Sequence, residues 1–171
     1  MITLVIGGTR SGKSVVAERI AAACGDDITY LATAWVDPGD ADHAARIEAH
    51  RDRRPPGWRT IECPAPGDLP AALASTPGPV LVDALGTWVT SHPDLVVDAR
   101  PLLDALAARR AATVLVSEEV GASVHPESAI GRRFVDALGT LNQQVAAIAD
   151  RVLYVVAGRA IELPPAGEPP C

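Results

Sequence analysis

The sequence predicts an α/β domain, a three-layer sandwich in which helices cover both faces of a mostly parallel β-sheet. Short apolar, β-branched runs alternate with alanine-rich helical stretches, which is the pattern of βαβ units. The first run leads into a glycine-rich turn and then a helical stretch. A length of 171 residues suits one core. We therefore expect a single domain over residues 1–162 and a disordered, Pro-rich tail over 163–171.

Composition narrows the class of protein. The chain is 48% hydrophobic and 21% charged, which excludes disordered, collagen-like and disulfide-scaffold chains. A net charge of −6 and only six aromatic residues argue against a nucleic-acid surface, so a small-molecule partner is favoured. No apolar run is long enough for a membrane span, no basic segment precedes the first run, and the three cysteines suit reduced thiols. The expected location is the cytoplasm.

The first predicted strand, Ile2–Ile6, ends at a phosphate-binding motif. Residues Gly7–Ser14 read GGTRSGKS and fit the pattern G-x-x-x-x-G-K-[ST], the P-loop. Its glycines let backbone N–H groups converge on phosphate oxygens, its lysine reaches the β and γ phosphates, and its serine hydroxyl joins Mg²⁺. Lys13 is the only lysine of the chain. A predicted helix over Ser14–Ala23 follows, so its N-terminus faces the anion.

The remaining elements follow in alternation. Asp40 and Asp98 are expected as helix N-caps, and Pro101 falls where a first helical turn tolerates proline. The predicted strands are Ile28–Thr33, Arg59–Glu62 (the weakest), Val80–Asp83, Thr113–Ser117 and Val152–Val156. The predicted helices are Asp40–Arg53, Asp68–Ala74, Asp98–Arg110 and Pro126–Asp150.

Two strands end in carboxylates. Asp83 closes the run Val80–Asp83 and is the candidate for the carboxylate near Mg²⁺; its alternative role is to cap the next helix. Glu118 and Glu119 follow the strand Thr113–Ser117 and form a second candidate pair. Because ligands gather at the carboxyl ends of strands in open α/β sheets, both positions point to one crevice.

A cationic segment follows the predicted helix Asp40–Arg53. On that helix His43, Arg46 and His50 share one face, and Pro55 ends the helix beside several arginines. A guanidinium cluster clamps phosphates well, and a neutral imidazole can attack an α-phosphate to form a phosphoramidate. A histidine among arginines also occurs on ordinary solvated faces, so the residues alone leave both interpretations open.

The order of these motifs resembles one family, the bifunctional adenosylcobinamide kinase/adenosylcobinamide-phosphate guanylyltransferases of cobalamin biosynthesis. The resemblance runs from the first strand to the last and excludes only the tail. It rests on Gly7–Ser14, Tyr30–Ala34, Arg46–Pro55, Trp58–Glu62, Val82–Leu85 with Trp88, Leu115–Ser117 with Glu119–Gly121, Pro126–Glu127, Arg132–Phe134, Leu141–Gln143 and Ala157–Gly158. A P-loop followed by R-I-x-x-H-R-x-x-R-P is far more specific than a P-loop alone.

The resemblance implies a two-step chemistry. The aminopropanol hydroxyl of adenosylcobinamide is phosphorylated by a nucleoside triphosphate, ATP or GTP, and GMP from GTP is then transferred to adenosylcobinamide phosphate. The products are adenosylcobinamide-GDP and pyrophosphate. The family also implies a homotrimer with a RecA-like P-loop NTPase fold.

Site residues are implied position by position. The resemblance makes His50 the histidine that is guanylylated, Lys13 a catalytic lysine, and Ser14 and Asp83 the residues that hold Mg²⁺ through the nucleotide. The positions implied for nucleotide binding are Gly7, Gly8, Thr9, Arg10, Ser11, Gly12, Lys13, Ser14, Thr33, Ala34, Trp35, Arg51, Asp52, Arg53, Arg54, Glu62 and Asp83.

The chain departs from the family pattern at three positions. Glu118 and Ser91 stand where relatives usually have asparagine, and Ser128 ends a stretch that usually reads P-E-N. A guanylyltransferase without the kinase step is therefore an alternative, as is a plain P-loop small-molecule kinase in which His50 is dispensable. A nucleotide-dependent interaction module is the non-enzyme alternative. A regulatory GTPase is excluded, because its N-K-x-D motif needs a second lysine.

Overall fold

The computed structural model describes residues 1–34, 57–122, 124 and 126–167. The strands are β1 (Ile2–Gly7), β2 (Thr29–Ala32), β3 (Arg59–Glu62), β4 (Val80–Asp83), β5 (Thr113–Glu118), β6 (Arg151–Val156) and β7 (Arg159–Glu162). The α-helices are α1 (Lys13–Ala22), α2 (Asp68–Ser75), α3 (Leu85–Thr90), α4 (Arg100–Ala108) and α5 (Ala129–Ile148), with a 3₁₀ turn over Pro93–Leu95.

The strands form one sheet in the order β3-β2-β4-β5-β1-β6-β7. Every neighbouring pair is parallel except β6 and β7, which form an antiparallel hairpin. The P-loop strand β1 and the strand β4 that ends in Asp83 are thus separated by β5. The chain adds strands first on one side of β1 and then on the other, so the ends of β1 and β5 lie at the switch point where ligands bind in such sheets.

The sheet is the middle of three layers in the described residues. Helix α1 buries Ala17 and Ala21 against one face, where Val5, Leu81 and Val116 of three strands form a core. Helices α2 to α5 cover the other face and enclose a second, larger core. Burial on both faces explains why the central strands read as continuous apolar runs. The α/β sandwich with a mostly parallel sheet is confirmed.

Each predicted strand is present, with ends shifted by one residue at most. Four predicted helices are also present, and their ends differ from the predicted ones by three residues at most; they are the helices predicted over 14–23, 68–74, 98–110 and 126–150. Pro101 lies in the first turn of α4, as predicted. Asp98 is not the N-cap of that helix, since Ala99 holds that position. The Asp98 carboxylate instead accepts hydrogen bonds from the backbone and guanidinium of Arg100. The predicted helix Asp40–Arg53, with its N-cap Asp40, lies outside the described residues.

Two elements were not predicted from the sequence. Helix α3 has six residues, too few to display a helical period. Strand β7 is exposed along its whole length, so it lacks alternating burial and is held by main-chain pairing with β6. Leu163 continues that pairing by donating to the carbonyl of Val152.

The two cysteines in the described part of the chain are free thiols. Burial raises the pKa of Cys63 to about 11, and the nearby Asp68 and Glu62 carboxylates contribute to the increase. Cys24 donates to the carbonyl of Ile20 on its own helix. This agrees with the prediction of reduced thiols for these two cysteines.

Candidate nucleotide-binding site

The P-loop connects β1 to α1 at the carboxyl edge of the sheet. Two of its glycines are required by close contacts. A Cβ on Gly7 would lie 2.5 Å from Ser11 Oγ and 2.7 Å from the Val155 carbonyl oxygen, and Gly12 has φ 91°. A Cβ on Gly8 would meet no described atom within 4 Å, so this position faces open space. Helix α1 begins at Lys13, so its first N–H groups point into the loop.

The hairpin turn between β6 and β7 supports the loop from behind. The N–H of Gly158 donates to the carbonyl of Ser11 at 2.7 Å. A Cβ on Gly12 would lie 3.1 Å from the Cα of Gly158. Ala157 and Gly158 both have positive φ, 51° and 74°. The outer wall of the P-loop is therefore main chain from the last hairpin.

Lys13 lies across the mouth of the loop. Its Nζ is 3.5 Å from the carbonyl oxygen of Gly8 and 3.6 Å from Oε1 of Glu118, and its side chain is mostly buried. This ammonium group thus lies over the loop that the motif assigns to phosphates, beside the end of β5.

Glu118 and Glu119, the second candidate pair, are separated by the structure. Glu118 is opposite Gly7 in the register of β5 and β1 and faces Lys13. Burial raises the pKa of Glu118; Lys13 opposes this, and the negative charge of Asp83 raises it further. Glu119 points away and accepts hydrogen bonds from the N–H groups of Gly121 and Ala122.

Asp83 is two strands from the P-loop strand and does not cap the helix that follows it. Ala84 is the N-cap of α3, and its N–H donates to the hydroxyl of Thr87. Oδ2 of Asp83 accepts a 2.7 Å hydrogen bond from the Tyr30 hydroxyl. Tyr30 belongs to the core beneath α1, so Asp83 lies on the P-loop face of the sheet. The alternative of a capping aspartate is thereby excluded.

Positions 33, 34 and 62 lie beyond Asp83, farther from the P-loop strand than Asp83 is. Glu62 and Asp83 pair with the same residue of β2, Ala32, and so share one face of the sheet about 10 Å apart. Thr33 is buried and its hydroxyl is engaged by the main chain of Ala84 and by Thr87. The Thr33 hydroxyl is therefore not available to contact a nucleotide. Ala34, the next residue, is half-buried.

Several implied residues lie outside the described part of the chain. They are Trp35, His50, Arg51, Asp52, Arg53 and Arg54. The described candidates Gly7 to Ser14, Asp83 and Glu118 come together at one edge of the sheet. Tyr30 and Gly158 were among the residues that carry the family resemblance, but the sequence assigned neither of them a role in the site. Their roles could not be read from the sequence, because Tyr30 acts through a long-range hydrogen bond to Asp83 and Gly158 through its main chain.

Two of the departures from the family pattern have structural roles. The Ser91 hydroxyl donates to the carbonyl of Trp88 at the end of α3. Ser128 caps α5 by accepting from the N–H of Gly131. Glu118 is the departure that faces the P-loop.

A separate groove of about 720 Å³ lies on the opposite side of the sheet from α1. Its walls are the segment from Asp94 to Ala99 and one side of α5, with Arg133, Asp136 and Gln144 among the lining residues. Its position on the α5 side excludes it as the phosphate site. Among the described residues, no helix has the length and apolarity to cross a bilayer.

Comparison with known proteins identifies relatives that match this chain along its length. The family model described as cobinamide kinase / cobinamide phosphate guanyltransferase matches residues 3–163. The chain is 40% identical to the bifunctional adenosylcobalamin biosynthesis protein CobP of Pseudomonas aeruginosa, over 99% of both chains. It is 36% identical to the corresponding CobU protein of Salmonella typhimurium, over 95% of this chain and 99% of that one.

The fold is also found in a distant solved structure, the flagellar accessory protein FlaH from Methanocaldococcus jannaschii. The TM-score is 0.51 at 12% identity, over 93% of this chain and 74% of that chain, which is a likeness of fold alone. It agrees with the α/β architecture described above. With a family model that spans nearly the whole chain and relatives matched along their full length, this chain belongs to the cobinamide kinase / cobinamide phosphate guanyltransferase family.

Proposed function

We propose that this chain is a bifunctional enzyme of cobalamin biosynthesis. It phosphorylates the aminopropanol hydroxyl of adenosylcobinamide with a nucleoside triphosphate. It then transfers GMP from GTP to adenosylcobinamide phosphate, giving adenosylcobinamide-GDP and pyrophosphate. The observation that carries the proposal is the P-loop at the sheet edge, with Lys13 over the loop and Glu118 and Asp83 at the ends of the next two strands, in a chain of this family.

The two steps break different bonds of the triphosphate. In the kinase step, the hydroxyl oxygen attacks the γ-phosphorus and the nucleoside diphosphate leaves. In the guanylyl step, an imidazole nitrogen of His50 attacks the α-phosphorus and pyrophosphate leaves; the phosphate of the acceptor then displaces the imidazole. A loop that holds the β and γ phosphates stabilises the departing group in both steps, because both leaving groups include the β-phosphate.

Lys13 and the loop amides are the groups proposed to bind the triphosphate, with Arg51, Asp52, Arg53, Arg54, Trp35 and Glu62 completing the nucleotide site. The donor set at the sheet edge suits Mg²⁺, since Ser14 and Asp83 supply the hard oxygen ligands that this ion prefers. Bound there through the nucleotide, Mg²⁺ would neutralise phosphate charge.

Intact-mass analysis after incubation with GTP and Mg²⁺ tests the guanylyl step. The native chain is expected to gain one guanylyl group, and the variant His50→Ala is expected to gain none. The samples are kept at neutral pH because a phosphoramidate hydrolyses in acid. His43→Ala, on the same predicted helix, is the matched control and keeps the adduct. GTP binding without an adduct on the native chain would favour a plain P-loop kinase or an interaction module.

We further propose a homotrimer in the cytoplasm, with one catalytic domain over residues 1–162 and a Pro-rich tail after it. Family membership supports the trimer, and sedimentation equilibrium of the full chain would test it. A monomeric mass at assay concentrations would contradict it.

A further inference from the structure

Tyr30 and Asp83 lie on neighbouring strands of the sheet and on the same face. Ala32 of β2 pairs with Asp83 of β4, and Tyr30 pairs with Leu81, two residues before Asp83. Side chains two residues apart on a strand point to one face of the sheet, and directly paired residues share a face. Tyr30 therefore lies two residues before the level of Asp83, on the P-loop face of the sheet.

The Tyr30 hydroxyl reaches Asp83 from inside the core. It donates a 2.7 Å hydrogen bond to Oδ2 of Asp83. Tyr30 is 3% exposed, and its ring packs in the same apolar cluster as Ile28 and Leu81. A phenylalanine would supply the same apolar ring to this cluster, so packing does not require the hydroxyl group. The hydroxyl group instead gives Asp83 a hydrogen-bond donor whose position is fixed by the core.

Asp83 lies close enough to the P-loop to act on groups there. It is half-buried at the end of β4. Its negative charge contributes to the raised pKa of Glu118, and Oε1 of Glu118 is 3.6 Å from Nζ of Lys13. The Asp83 carboxylate is thus at the edge of the phosphate site, where it is proposed to hold Mg²⁺ through the nucleotide.

We propose that Tyr30 is a positioning residue for the Mg²⁺ of the bound nucleotide, an inference that rests on the proposed function. Its hydroxyl holds the Asp83 carboxylate in the orientation needed to bind the ion together with the nucleotide. Hydrogen bonds to a ligating carboxylate fix its orientation, and loss of such a partner typically lowers metal affinity about 10–100-fold. Because the core fixes the Tyr30 ring, the carboxylate is ordered before the nucleotide binds.

Tyr30 should affect only the part of nucleotide binding that depends on Mg²⁺. The loop amides and Lys13 are expected to bind phosphate oxygens directly, without Asp83. Loss of the Tyr30 hydroxyl should therefore weaken nucleotide binding in the presence of Mg²⁺ and leave binding in EDTA unchanged. A residue that only supports the fold would alter nucleotide binding in both conditions.

The test compares Tyr30→Phe with the native chain in the full protein. Affinity for a fluorescent GTP analogue is measured across a Mg²⁺ titration and separately in EDTA. Tyr154→Phe is the matched control, because Tyr154 is the only other tyrosine of the chain. It lies between Leu153 and Val155 of β6, which face the α1 core, so its ring points to the opposite face of the sheet.

We expect Tyr30→Phe to need about tenfold more Mg²⁺ for half of the full gain in affinity, with affinity in EDTA within about twofold of native. Saturating Mg²⁺ should restore most of the affinity. Tyr154→Phe should give the native result in both conditions. An unchanged Mg²⁺ titration of Tyr30→Phe, or equal losses of affinity with and without Mg²⁺, would overturn the role of Tyr30.

A double-mutant cycle tests whether Tyr30 acts through Asp83. If it does, Tyr30→Phe should change the Mg²⁺ titration by less than about twofold in an Asp83→Asn background, whereas a change of about tenfold there would overturn the proposal. The readout is nucleotide binding, so a native chain that shows the expected Mg²⁺ dependence without acting on adenosylcobinamide would refute the proposed function alone. A native chain whose nucleotide affinity is equal with and without Mg²⁺ would refute the role of Tyr30.

Discussion

The Thr33 hydroxyl links the end of β2 to the turn after β4. It accepts from the N–H of Ala84 at 2.9 Å, contacts the carbonyl of the same residue at 2.6 Å, and lies 2.6 Å from the Thr87 hydroxyl. Thr33 is 1% exposed, so water cannot replace these partners. The network fixes the segment that begins directly after Asp83.

Thr33→Val should therefore destabilise the protein by about 1 kcal/mol or more, because the valine keeps the shape but removes the buried hydroxyl that bridges Ala84 and Thr87. Urea unfolding measures the effect. Thr33→Ser keeps the hydroxyl and is the control that should lose less. Equal stability of native and valine variants would show that the network contributes nothing.

For single residues, the sequence is informative where a motif encodes chemistry. Lys13 was singled out as the only lysine within a P-loop, and Glu118 and Asp83 by their places after buried strands. The same reasoning could not tell which of Glu118 and Glu119 faces the loop, since that depends on strand register. The resemblance places Thr33 among the nucleotide-binding positions, which stays a prediction, and the structure adds that its hydroxyl joins β2 to the β4–α3 turn.

Arg109 joins three elements where α4 ends. Its guanidinium donates to the carbonyls of Leu73, Thr76 and Gly78 at 2.5–2.6 Å, and its Nε donates to the Thr113 hydroxyl. The first of these carbonyls belongs to the last turn of α2, where a cation also favours the helix dipole. Burial lowers the pKa of Arg109, yet an arginine stays charged at any ordinary pH.

Arg109→Ala should lower the free energy of unfolding by about 3 kcal/mol, since three partly buried carbonyls lose a charged donor together. Chemical denaturation measures the change. The adjacent, exposed Arg110 is the matched control, and Arg110→Ala should stay within about 0.5 kcal/mol of native. Similar losses in both variants would argue against this bracing role.

The sequence predicted those helices and strands whose hydrophobic pattern extends over many residues. It did not predict features that depend on contacts between residues distant in the sequence. Strands buried on both faces were recognised as apolar runs, and α5 as one long helical stretch. The N-cap of α4 was assigned to Asp98 because aspartate suits that position, but pairing with Arg100 holds it outside the helix. The exposed strand β7 exists through the hairpin turn, which no hydrophobic pattern reports.

At the scale of the whole molecule, the last hairpin and the first loop depend on each other. Gly158 has φ 74°, and a Cβ there would meet no described atom within 4 Å. Gly158→Ala should therefore act through the backbone alone, at about 1–2 kcal/mol, by disfavouring the turn that donates to Ser11. We expect weaker binding of a fluorescent GTP analogue.

Gly139→Ala is the matched control, because Gly139 lies in α5 with open space around it and alanine is the better helix former. It should bind nucleotide as the native chain does and be at least as stable. Unchanged GTP affinity in the Gly158 variant would contradict the proposed support of the loop by the hairpin.

The contact between the Gly158 N–H and the Ser11 carbonyl has a thermodynamic consequence for ligand recognition. The loop is anchored by main chain at its outer wall and packed at Gly7 against Val155, so its amides are ordered when the chain folds. Binding of a triphosphate then costs the entropy of ordering the ligand and nearby side chains, but not the entropy of ordering the loop. The P-loop contacts only the phosphates that all nucleoside triphosphates share. Discrimination between nucleotides therefore depends on residues outside the loop, where the base and the ribose bind.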